Sequence, residues 1–489
     1  MGGVDVVVVG AGPNGLAAAL ILAAAGLGVE VHEAADTVGG GARTAELTLP
    51  GFRHDVCSAV HPMAVASPFF RAMNLAAHGV ELYQPDIAYA HPLDGGRAGL
   101  AYRDLDRTAD GLGPDGPAWR RLLGPLVARW EDVVDTTMND FRHVPPPAAA
   151  LRFGLRTLEQ GGPLWNVRFR GETAPALLTG VGAHAIAPVR GLGPAGAGLF
   201  LATLAHAVGW PIPRGGSQAI VDAMAAALQR LGGKIVTGHR VDSLDDLPPA
   251  RAVLLDVAAE GLLRIAGERL PGAYRKRLRR FTYGGAAAKV DFALSGPVPW
   301  AAPEVARAGT LHIVGTRAEA AHAEREVANG RHAERPYVLA AQPSTVDATR
   351  APDGKHVLWA YAHVPNGSTV DPTEAVTAQV ERFAPGFRDL ILDSHAIPAA
   401  AQSAHNPNYI GGDIAAGAVT AWQMVMRPVP HWDPYRTPLP GVYLCSASTP
   451  PGPAVHGMAG LHAARRVLRQ RFGIRAEPLD LVRDKVKPA

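Results

Sequence analysis

The sequence predicts an α/β fold in which a parallel-sheet unit is combined with a second, α+β unit built on a mixed or antiparallel sheet. The chain has 489 residues, of which 47% are hydrophobic, so it is too long for one compact core and apolar enough for two. A β-branched run near the N-terminus, followed by a glycine-rich turn and a helix, predicts the parallel unit. Alternating stretches at Ala286–Leu294, Tyr337–Gln342 and His356–Val364 predict the second sheet.

Charge and cysteine content exclude several classes of protein. The chain has 47 Lys and Arg against 44 Asp and Glu, a net charge of +3, which gives no electrostatic reason to expect a nucleic-acid partner. Cys57 and Cys445 lie far apart, which excludes zinc ribbons, iron–sulfur clusters and dithiol chemistry, and no metal site is expected. Without a basic segment before the first apolar run, export is not predicted, and a cytoplasmic location is expected.

The first predicted strand, Val4–Val9, consists of valines apart from Asp5, as expected of a strand buried on both faces. A helix is predicted over Leu16–Ala25. The turn between them has the G-x-G-x-x-G spacing of dinucleotide-binding folds, in the strand–turn–helix context that this motif requires. It consists of Gly10, Ala11, Gly12, Pro13, Asn14 and Gly15. The start of the helix is therefore expected to hold a pyrophosphate.

Each glycine of this turn has a predicted role. Gly10 permits the tight turn, Gly12 lets the backbone approach the pyrophosphate, and Gly15 lets helix and strand pack closely. The second strand ends in Glu33, 18 residues after Gly15, where a carboxylate would accept hydrogen bonds from ribose hydroxyls, with Ala34 beside it. An acidic residue at this position favours FAD or NAD over NADP.

A second glycine-rich segment follows the second strand. It adds three glycines and a guanidinium beside the same pyrophosphate, a second clamp that an extended FAD needs and a nicotinamide cofactor does not. The segment is Val38, Gly39, Gly40, Gly41, Ala42, Arg43 and Thr44. Another literal G-x-G-x-x-G occurs at Gly191–Gly196. Because no strand precedes it, this copy is predicted to be a loop without a dinucleotide role.

These motifs resemble those of the flavoprotein superfamily that contains phytoene desaturases, carotenoid dehydrogenases and isomerases and, more distantly, the amine oxidases. The similarity includes GAGPNG with Glu33, VGGGARTAEL, the central Trp210–Val236 and the C-terminal Pro440–Met458 (PGVYLCSASTPPGPAVHGM), and so spans nearly the whole chain. It implies a Rossmann-like FAD-binding domain made of segments 1–70, 206–285 and 436–489. Segments 71–205 and 286–435 would form the substrate domain.

The resemblance also implies cofactor contacts near the C-terminus. In the superfamily, a helix beginning like the one after Gly457 lies against the flavin, and the main chain at a position matching Val241 meets the adenine. Ser446, Pro453 and Ala454 replace glycines of the superfamily pattern. The predicted cofactor contacts are Gly10, Gly12, Pro13, Asn14, Gly15, Glu33, Ala34, Gly40, Gly41, Arg43, Thr44, Val241, Ser446, Ala447, Ser448, Val455, His456, Gly457 and Met458.

Two regions bear on the substrate. Residues Thr173–Pro213 carry one formal charge, Arg190, and form either an ordinary buried layer or, as the resemblance implies, the wall of a tunnel for a hydrophobic substrate. The stretch Phe141–Gly162 is basic and amphipathic; peripheral contact with a membrane surface and a solvated helix both stay open.

Three residues are the main catalytic candidates. His456 is the first candidate base because it adjoins the predicted flavin helix, with His184, His61 and Asp55 behind it. Lys289 is a second candidate, since a strand lysine reaches the flavin in amine oxidases. Tyr409, in the segment NPNYIGGD, resembles a residue of a loop near the flavin. A purely structural role stays open for each.

The favoured hypothesis is an FAD-dependent oxidoreductase, resembling phytoene dehydrogenases, that takes hydride from a polyene, isoprenoid or polyketide-like substrate. Oxygen or a quinone would then accept the electrons. A carotenoid-type isomerase, an amine oxidase and a scaffold without chemistry are the alternatives. An amine oxidase usually presents an aromatic cage before the flavin, and none is located in the sequence. The substrate and the oligomeric state stay undetermined.

Overall fold

Two β-sheets organise the chain. The computed structural model describes residues 3–140 and 142–488. Phe141, the first residue of the predicted amphipathic stretch, and positions 1, 2 and 489 of the predicted FAD-binding segments lie outside the described residues. One sheet has five strands and the other seven, accompanied by two short two-stranded pairs. This α/β architecture with a second, mixed sheet confirms the predicted fold class.

The strands are short in the parallel unit and longer in the second sheet. They are β1 (Val6–Val9), β2 (Val29–His32), β3 (Thr44–Glu46), β4 (Arg53–Asp55), β5 (Leu82–Tyr83), β6 (Ile87–Leu93), β7 (Arg97–Tyr102), β8 (Ile212–Pro213), β9 (Lys234–Val236), β10 (Ala252–Leu255), β11 (Ala286–Leu294), β12 (Ala308–Ile313), β13 (Val338–Ala341), β14 (His356–Val364), β15 (Ile391–Ile397) and β16 (Val442–Leu444).

The helices cover both sheets and form a separate layer in the first half of the chain. They are α1 (Pro13–Ala24), α2 (Pro62–Ala66), α3 (Pro68–Met73), α4 (Leu105–Gly111), α5 (Gly116–Val127), α6 (Trp130–Thr137), α7 (Pro147–Gly161), α8 (Thr173–Gly182), α9 (Leu192–Ala207), α10 (Gln218–Arg230), α11 (Ala259–Ala266), α12 (Gly272–Leu278), α13 (Arg317–Ala328), α14 (Thr373–Glu381), α15 (Gln402–His405), α16 (Ala421–Val425), α17 (Met458–Arg471) and α18 (Pro478–Lys485).

The five-stranded sheet is parallel throughout, in the order β16-β10-β1-β2-β9. In its central strand β1, Val6, Val7 and Val8 have no exposed surface. A β-branched run buried on both faces is what a central parallel strand requires. The strands come from three separated parts of the chain, so the C-terminal β16 completes a sheet that the N-terminus begins.

Helices α1 and α17 pack with almost no space between their backbones. A Cβ atom added to Gly460 of α17 would lie 2.0 Å from the carbonyl oxygen of Asn14 and 2.9 Å from the amide nitrogen of Ala18. Because both atoms belong to the backbone of α1, neither can rotate away. Only glycine at this position lets the C-terminal helix lie so close to the first helix of the parallel unit.

Replacing Gly460 by alanine is therefore expected to lower the free energy of unfolding by about 3 kcal/mol, the upper end of the usual range for overpacking. Urea titration followed by circular dichroism measures the loss. Gly154→Ala in α7 is the matched control, because no atom lies within 4 Å of the added Cβ and alanine is favoured over glycine in a helix. Equal stability of the two variants would contradict the close helix contact.

The seven-stranded sheet has the order β15-β11-β14-β13-β12-β6-β7. Its neighbours are antiparallel except for β12 and β6, which run parallel, so the sheet is mixed. Strand β11 spans the predicted residues and is buried along its whole length. Strands β13 and β14 also fall within predicted stretches. The apolar region Thr173–Pro213 forms the largely buried helices α8 and α9.

Two local predictions are wrong. The segment Gly191–Gly196 is not a loop but the start of α9, with Gly191 as its N-cap; Pro194 falls in the first turn, where its missing N–H costs no hydrogen bond. The strand predicted from Lys234 to Val241 ends at Val236. There the chain turns away at Gly238, whose φ is +65°, and Val241 lies in irregular backbone and packs in a cluster with Val7 and Val9 of β1.

The strands of the parallel sheet all fall within segments 1–70, 206–285 and 436–489, and those of the mixed sheet within 71–205 and 286–435. The domain boundaries themselves stay a prediction. No helix in the described ranges is both long and apolar enough to cross a membrane.

Candidate functional site

A cavity of about 870 Å³ extends from the parallel sheet to the helical layer. Pockets of this size hold small molecules and cofactors. At one end, called here the nucleotide end, the wall contains residues that follow β1, β2 and β10; at the other, the distal end, it contains residues of α7, α9 and α16. In open parallel sheets, ligands bind at the carboxyl ends of the strands where the strand order reverses, which is the position of β1 here.

The two glycine-rich segments meet at the nucleotide end. Gly10 has a φ of +103°, and a Cβ on it would lie 2.9 Å from the carbonyl oxygen of Asp256. Gly40 has a φ of +55°, and its added Cβ would lie 3.1 Å from the Cα of Gly12. Larger residues would be strained at both positions. The backbones of the two segments therefore face the cavity directly.

Glu33 holds these segments together. Its carboxylate accepts hydrogen bonds from the backbone N–H of Ala11 at 2.8 Å and of Ala35 at 3.0 Å. The Arg43 guanidinium donates to the same carboxylate at 3.1 Å. Glu33, directly after strand β2, thus links the first turn to the second glycine segment.

Asp256 is a site residue that sequence reasoning missed. It follows β10, lines the cavity and accepts a hydrogen bond from the Gly15 N–H at 2.9 Å. Burial raises the pKa of Asp256 to about 7; the Gly15 N–H lowers it and the negative charge of Glu33 raises it further. The available signal was an acid directly after the apolar run Ala252–Leu255, where a parallel strand ends in a ligand site.

Tyr409 and Cys57 both line the cavity. A Cβ on Gly41 would lie 2.2 Å from the Tyr409 hydroxyl, so this ring borders the second glycine segment. Burial raises the pKa of the Cys57 thiol, while the nearby Tyr409 hydroxyl and Lys289 charge oppose the shift. The loop that carries Tyr409 is attached to the nucleotide end, because Asn408 donates to the Asp256 carbonyl oxygen at 3.2 Å.

His61 lines the same part of the cavity, and its hydrogen bonds fix its tautomer. Its Nε2 lies 2.7 Å from the Ser217 hydroxyl oxygen, and that hydroxyl donates its only proton to the Ser58 carbonyl oxygen. Nε2 must therefore carry the proton, which leaves Nδ1 as an acceptor. Burial lowers the pKa of His61 to about 4, although Asp55 opposes the shift. The ring is thus neutral near pH 7 and can accept a proton.

Aromatic side chains of β14 form another part of the wall. Trp359 and Tyr361 both line the cavity, because alternate residues of a strand point to one face. Their rings meet edge to face, with centroids 5.2 Å apart. No aromatic cage was predicted from the sequence, although the W-x-Y alternation in a predicted strand was a usable signal. His184 also lines the cavity, and its Nε2 lies 2.9 Å from the Nε2 of His312.

Most of the predicted cofactor contacts come together on the wall of this one cavity. Those that line it are Gly10, Gly12, Pro13, Asn14, Glu33, Ala34, Gly40, Gly41, Arg43, Val241, Ser446, Ala447 and Val455.

Six predicted contacts do not line the cavity: Gly15, Thr44, Ser448, His456, Gly457 and Met458. Thr44 donates to Asp55 at 2.7 Å and Ser448 donates to the Ala416 carbonyl oxygen at 2.8 Å. A Cβ on Gly457 would lie 2.7 Å from the Phe69 ring, because the start of α17 packs against neighbouring helices. The preceding residues, Pro453–Val455, form the wall instead.

His456 has no free nitrogen for catalysis. Its side chain is fully buried, its Nδ1 accepts from the Met458 N–H at 3.0 Å, and its Nε2 lies 3.1 Å from the Gly452 carbonyl oxygen. Burial lowers its pKa to about 4. These bonds fix the loop before α17, so the geometry gives the first candidate base a structural role.

Lys289 and Asp55 are also buried, and each is paired with another charged side chain. Lys289 is 2% exposed, pairs with Asp291 and lies 5.1 Å from the centre of the Trp359 ring. Burial lowers its pKa and Asp291 opposes the shift. Asp55 is fully buried and accepts from Arg350 at 2.6 Å and from the Ser217 N–H at 2.8 Å. Neither side chain lines the cavity.

The wall residues fit an extended flavin dinucleotide. Asn14 Oδ1, Arg43 Nε and His61 Nδ1 are buried atoms of wall residues that have no hydrogen-bond partner within the described parts of the chain. Buried polar groups of this kind are normally satisfied by a partner. Two of them adjoin the glycine segments, where backbone N–H groups would meet a pyrophosphate.

Comparisons with known proteins agree with this site. A sequence profile described as flavin containing amine oxidoreductase matches residues 14–262. Pyridine nucleotide-disulfide oxidoreductase domain-containing protein 2 of Mus musculus is 26% identical, over 95% of this chain and 93% of the mouse protein. A limonene dehydrogenase polypeptide of Castellaniella defragrans is 33% identical over 108 residues, 22% of this chain and 19% of that protein.

The fold is also that of a solved flavoprotein. A triple mutant of putrescine oxidase superposes with a TM-score of 0.61 at 16% identity, over 96% of this chain and 98% of that one. The profile match covers half of the chain and includes nearly all of the first helix, the second glycine segment and Asp256. The chain therefore belongs to the flavin containing amine oxidoreductase family and is an FAD-dependent oxidoreductase.

Proposed function

We propose that this oxidoreductase takes hydride from a hydrophobic polyene, isoprenoid or polyketide-like substrate and so desaturates a C–C bond. The observation that carries the proposal is the chemistry of the distal end of the cavity. Among the described wall residues only Glu33 and Asp256 are acidic, and both belong to the nucleotide end. The distal wall is formed mainly by Phe153, Leu192, Phe200, Leu201, Met424 and Val425. Such a wall favours an uncharged, apolar substrate.

The wall residues of the nucleotide end are proposed to hold the cofactor. Backbone N–H groups of the two glycine segments would bind the pyrophosphate. Glu33, fixed by Ala11 and Ala35, would accept from the ribose hydroxyls, and Val241 would border the adenine. The loop Pro453–Val455 and Tyr409 would border the flavin ring.

Desaturation removes one hydrogen with its electron pair and the neighbouring hydrogen as a proton. When bound, FAD supplies the two-electron acceptor for the hydride, with oxygen or a quinone as the final electron acceptor. The chain itself has to exclude water and accept the proton. His61 is the proposed proton acceptor, because it lines the cavity with Nδ1 unprotonated and without a partner among the described residues.

The similarity to the limonene dehydrogenase polypeptide supports an isoprenoid substrate, as does the resemblance to phytoene dehydrogenases. Amine oxidation is the second candidate function. It is favoured by the aromatic side chains Trp359, Tyr361 and Tyr409 in the wall, which could enclose an amine, and by the fold shared with putrescine oxidase.

Anaerobic mixing of the purified holoprotein with an acyclic isoprenoid polyene, limonene or putrescine tests the proposal. Bleaching of the visible flavin band by the polyene or limonene, with a new double bond in the product, is the expected result. If putrescine bleaches the flavin and neither hydrocarbon does, the activity is amine oxidation and not desaturation. A rearranged product without lasting bleaching would indicate an isomerase, and a colourless purified protein would indicate a scaffold.

The affinity for FAD is expected to fall as pH rises through about 7. Asp256 faces the turn that would hold the pyrophosphate, and burial raises its pKa to about 7. Below that pH the carboxyl is neutral and can donate to the phosphate; above it, the carboxylate repels the phosphate. Each unit above the pKa should therefore weaken binding by up to about tenfold.

Fluorescence titration of the apoprotein with FAD between about pH 6 and pH 8.5 measures this dependence. Asp256→Asn keeps the shape of the side chain but cannot ionise, so its dissociation constant should stay flat over the same range. An equal pH dependence in both proteins would assign the effect to another group.

A further inference from the structure

The outer face of α7 carries a stripe of exposed leucines. Leu151, Leu155 and Leu158 are 64%, 57% and 57% exposed, and their spacing of four and three places them on one side of the helix. Phe153 and Thr157, on the opposite side, line the distal end of the cavity. One helix therefore presents apolar side chains both to the cavity and to the outside.

The same pattern recurs on the other two elements of the distal end. Trp422 of α16 is 62% exposed, and Val425 is 43% exposed while also lining the cavity. Leu192, the first residue of α9, is 39% exposed and lines the cavity as well. Scattered exposed apolar residues are normal, but a group on the elements that surround one cavity marks an interaction surface.

We call this group of side chains the distal face: Leu151, Leu155, Leu158, Leu192, Trp422 and Val425.

Positive charge accompanies the distal face. Between residues 142 and 172 the chain has five arginines, at positions 142, 152, 156, 168 and 170, against the acids Glu159 and Glu172. Arg168 is paired with Glu159 and Arg142 with Asp433, which leaves Arg152, Arg156 and Arg170 without an acidic partner among the described residues. Residues 414–432, which contain α16, include no acidic residue. Apolar side chains flanked by arginines match the combination of hydrocarbon and anionic headgroups at a membrane surface.

We infer that the distal face docks on an anionic lipid bilayer and that the substrate enters the cavity from the bilayer. This inference rests on the proposed function, because only a hydrophobic substrate would be concentrated there. The positive charge beside the distal face favours anionic lipid, and not a second copy of the chain, as the binding partner. In a two-fold dimer the same face would meet itself, so its excess of arginines would be opposed by like charge.

Co-sedimentation of the holoprotein with vesicles tests the inference. The vesicles contain phosphatidylcholine alone or with about one-third phosphatidylglycerol. We expect binding to the anionic vesicles, and a marked loss of binding in about 0.5 M NaCl. The double variant Leu151→Ser and Leu155→Ser should bind at least about tenfold less, since each change removes an exposed apolar side chain from the contact.

The matched control is Val370→Ser with Leu392→Ser. These side chains are 54% and 46% exposed, and neither lines the cavity. The control variant should bind vesicles like the unchanged protein, and both variants should retain their visible flavin band, which shows that they are folded. Equal vesicle binding by the two double variants would overturn the inference. So would a halved molar mass of the Leu151→Ser and Leu155→Ser variant, measured by light scattering, because a second copy would then be the partner.

The outcome is separable from that of the proposed function. Vesicle binding through the distal face without oxidation of any polyene would support the docking surface and exclude the proposed reaction. The opposite outcome is a protein that does not sediment with vesicles and oxidises limonene at the same rate with and without them. That result would support the reaction and exclude the docking surface.

Discussion

Replacing Gly12 by alanine is expected to leave the purified protein with almost no flavin. The added Cβ would lie 2.9 Å from the Asp256 carboxylate and 3.9 Å from the Cα of Gly40, in the gap where both backbones face the cavity. The added methyl group would also block the close approach of the pyrophosphate to this backbone, so the dissociation constant for FAD is expected to be roughly 100-fold higher. The flavin-to-protein absorbance ratio and an FAD titration measure the loss.

The second G-x-G-x-x-G copy provides the matched control. A Cβ on Gly196 would meet only the Thr157 side chain, at 3.7 Å, and Gly196 lines the distal end of the cavity. Gly196→Ala should therefore keep a full complement of flavin, although it narrows the substrate path. If the Gly196 variant lost its flavin and the Gly12 variant kept it, the cofactor would have been assigned to the wrong end of the cavity.

Replacing His61 by glutamine is expected to slow reduction of the flavin by the substrate by about 100-fold or more, the usual contribution of a positioned proton acceptor. Glutamine can still reach the Ser217 hydroxyl but has no nitrogen lone pair to accept a proton. The flavin content should not change, because His61 does not belong to the nucleotide end. Anaerobic stopped-flow mixing separates the rate of reduction from substrate affinity.

The pH profile gives a second check on His61. Since burial lowers its pKa to about 4, the imidazole is neutral above that value, and the rate of reduction should be constant from about pH 6 upward and fall in more acidic solution. In Ser217→Ala the hydroxyl that fixes the His61 tautomer is lost but the imidazole remains, so flavin reduction should slow by only about tenfold. A His61→Gln protein that reduces its flavin within twofold of the unchanged rate would exclude His61 as the proton acceptor.

The parts of the site predicted from sequence are those made by continuous segments. Strand, turn and first helix follow directly on one another, so the glycine spacing and the position of Glu33 were visible together. The predicted helix after Gly457 is also a local feature, and it forms as α17. The predicted flavin contacts at its start, Gly457 and Met458, and the preceding His456 do not line the cavity, because their placement depends on the helices against which α17 packs.

Other site residues depend on contacts between segments far apart in the chain. Asp256 meets Gly15 across 241 positions, and the proton on His61 is fixed by Ser217 across 156. Neither partner can be chosen from a single sequence, because hydrogen-bond geometry exists only after the strands and helices have been assembled. The two G-x-G-x-x-G copies show the same limit: one follows a central strand, and the other begins α9 in the helical layer.

By itself the sequence determined the class of fold, the nucleotide-binding turn and the kind of cofactor, since these follow from hydrophobic periodicity and from glycines placed at short, fixed intervals. Only the tertiary structure decided which side chains share the cavity, which nitrogen of His61 stays unpaired, and which apolar residues stay exposed around the distal end. The physical reason is that periodicity is a property of neighbours along the chain, whereas burial, tautomer and charge state are set by neighbours in space.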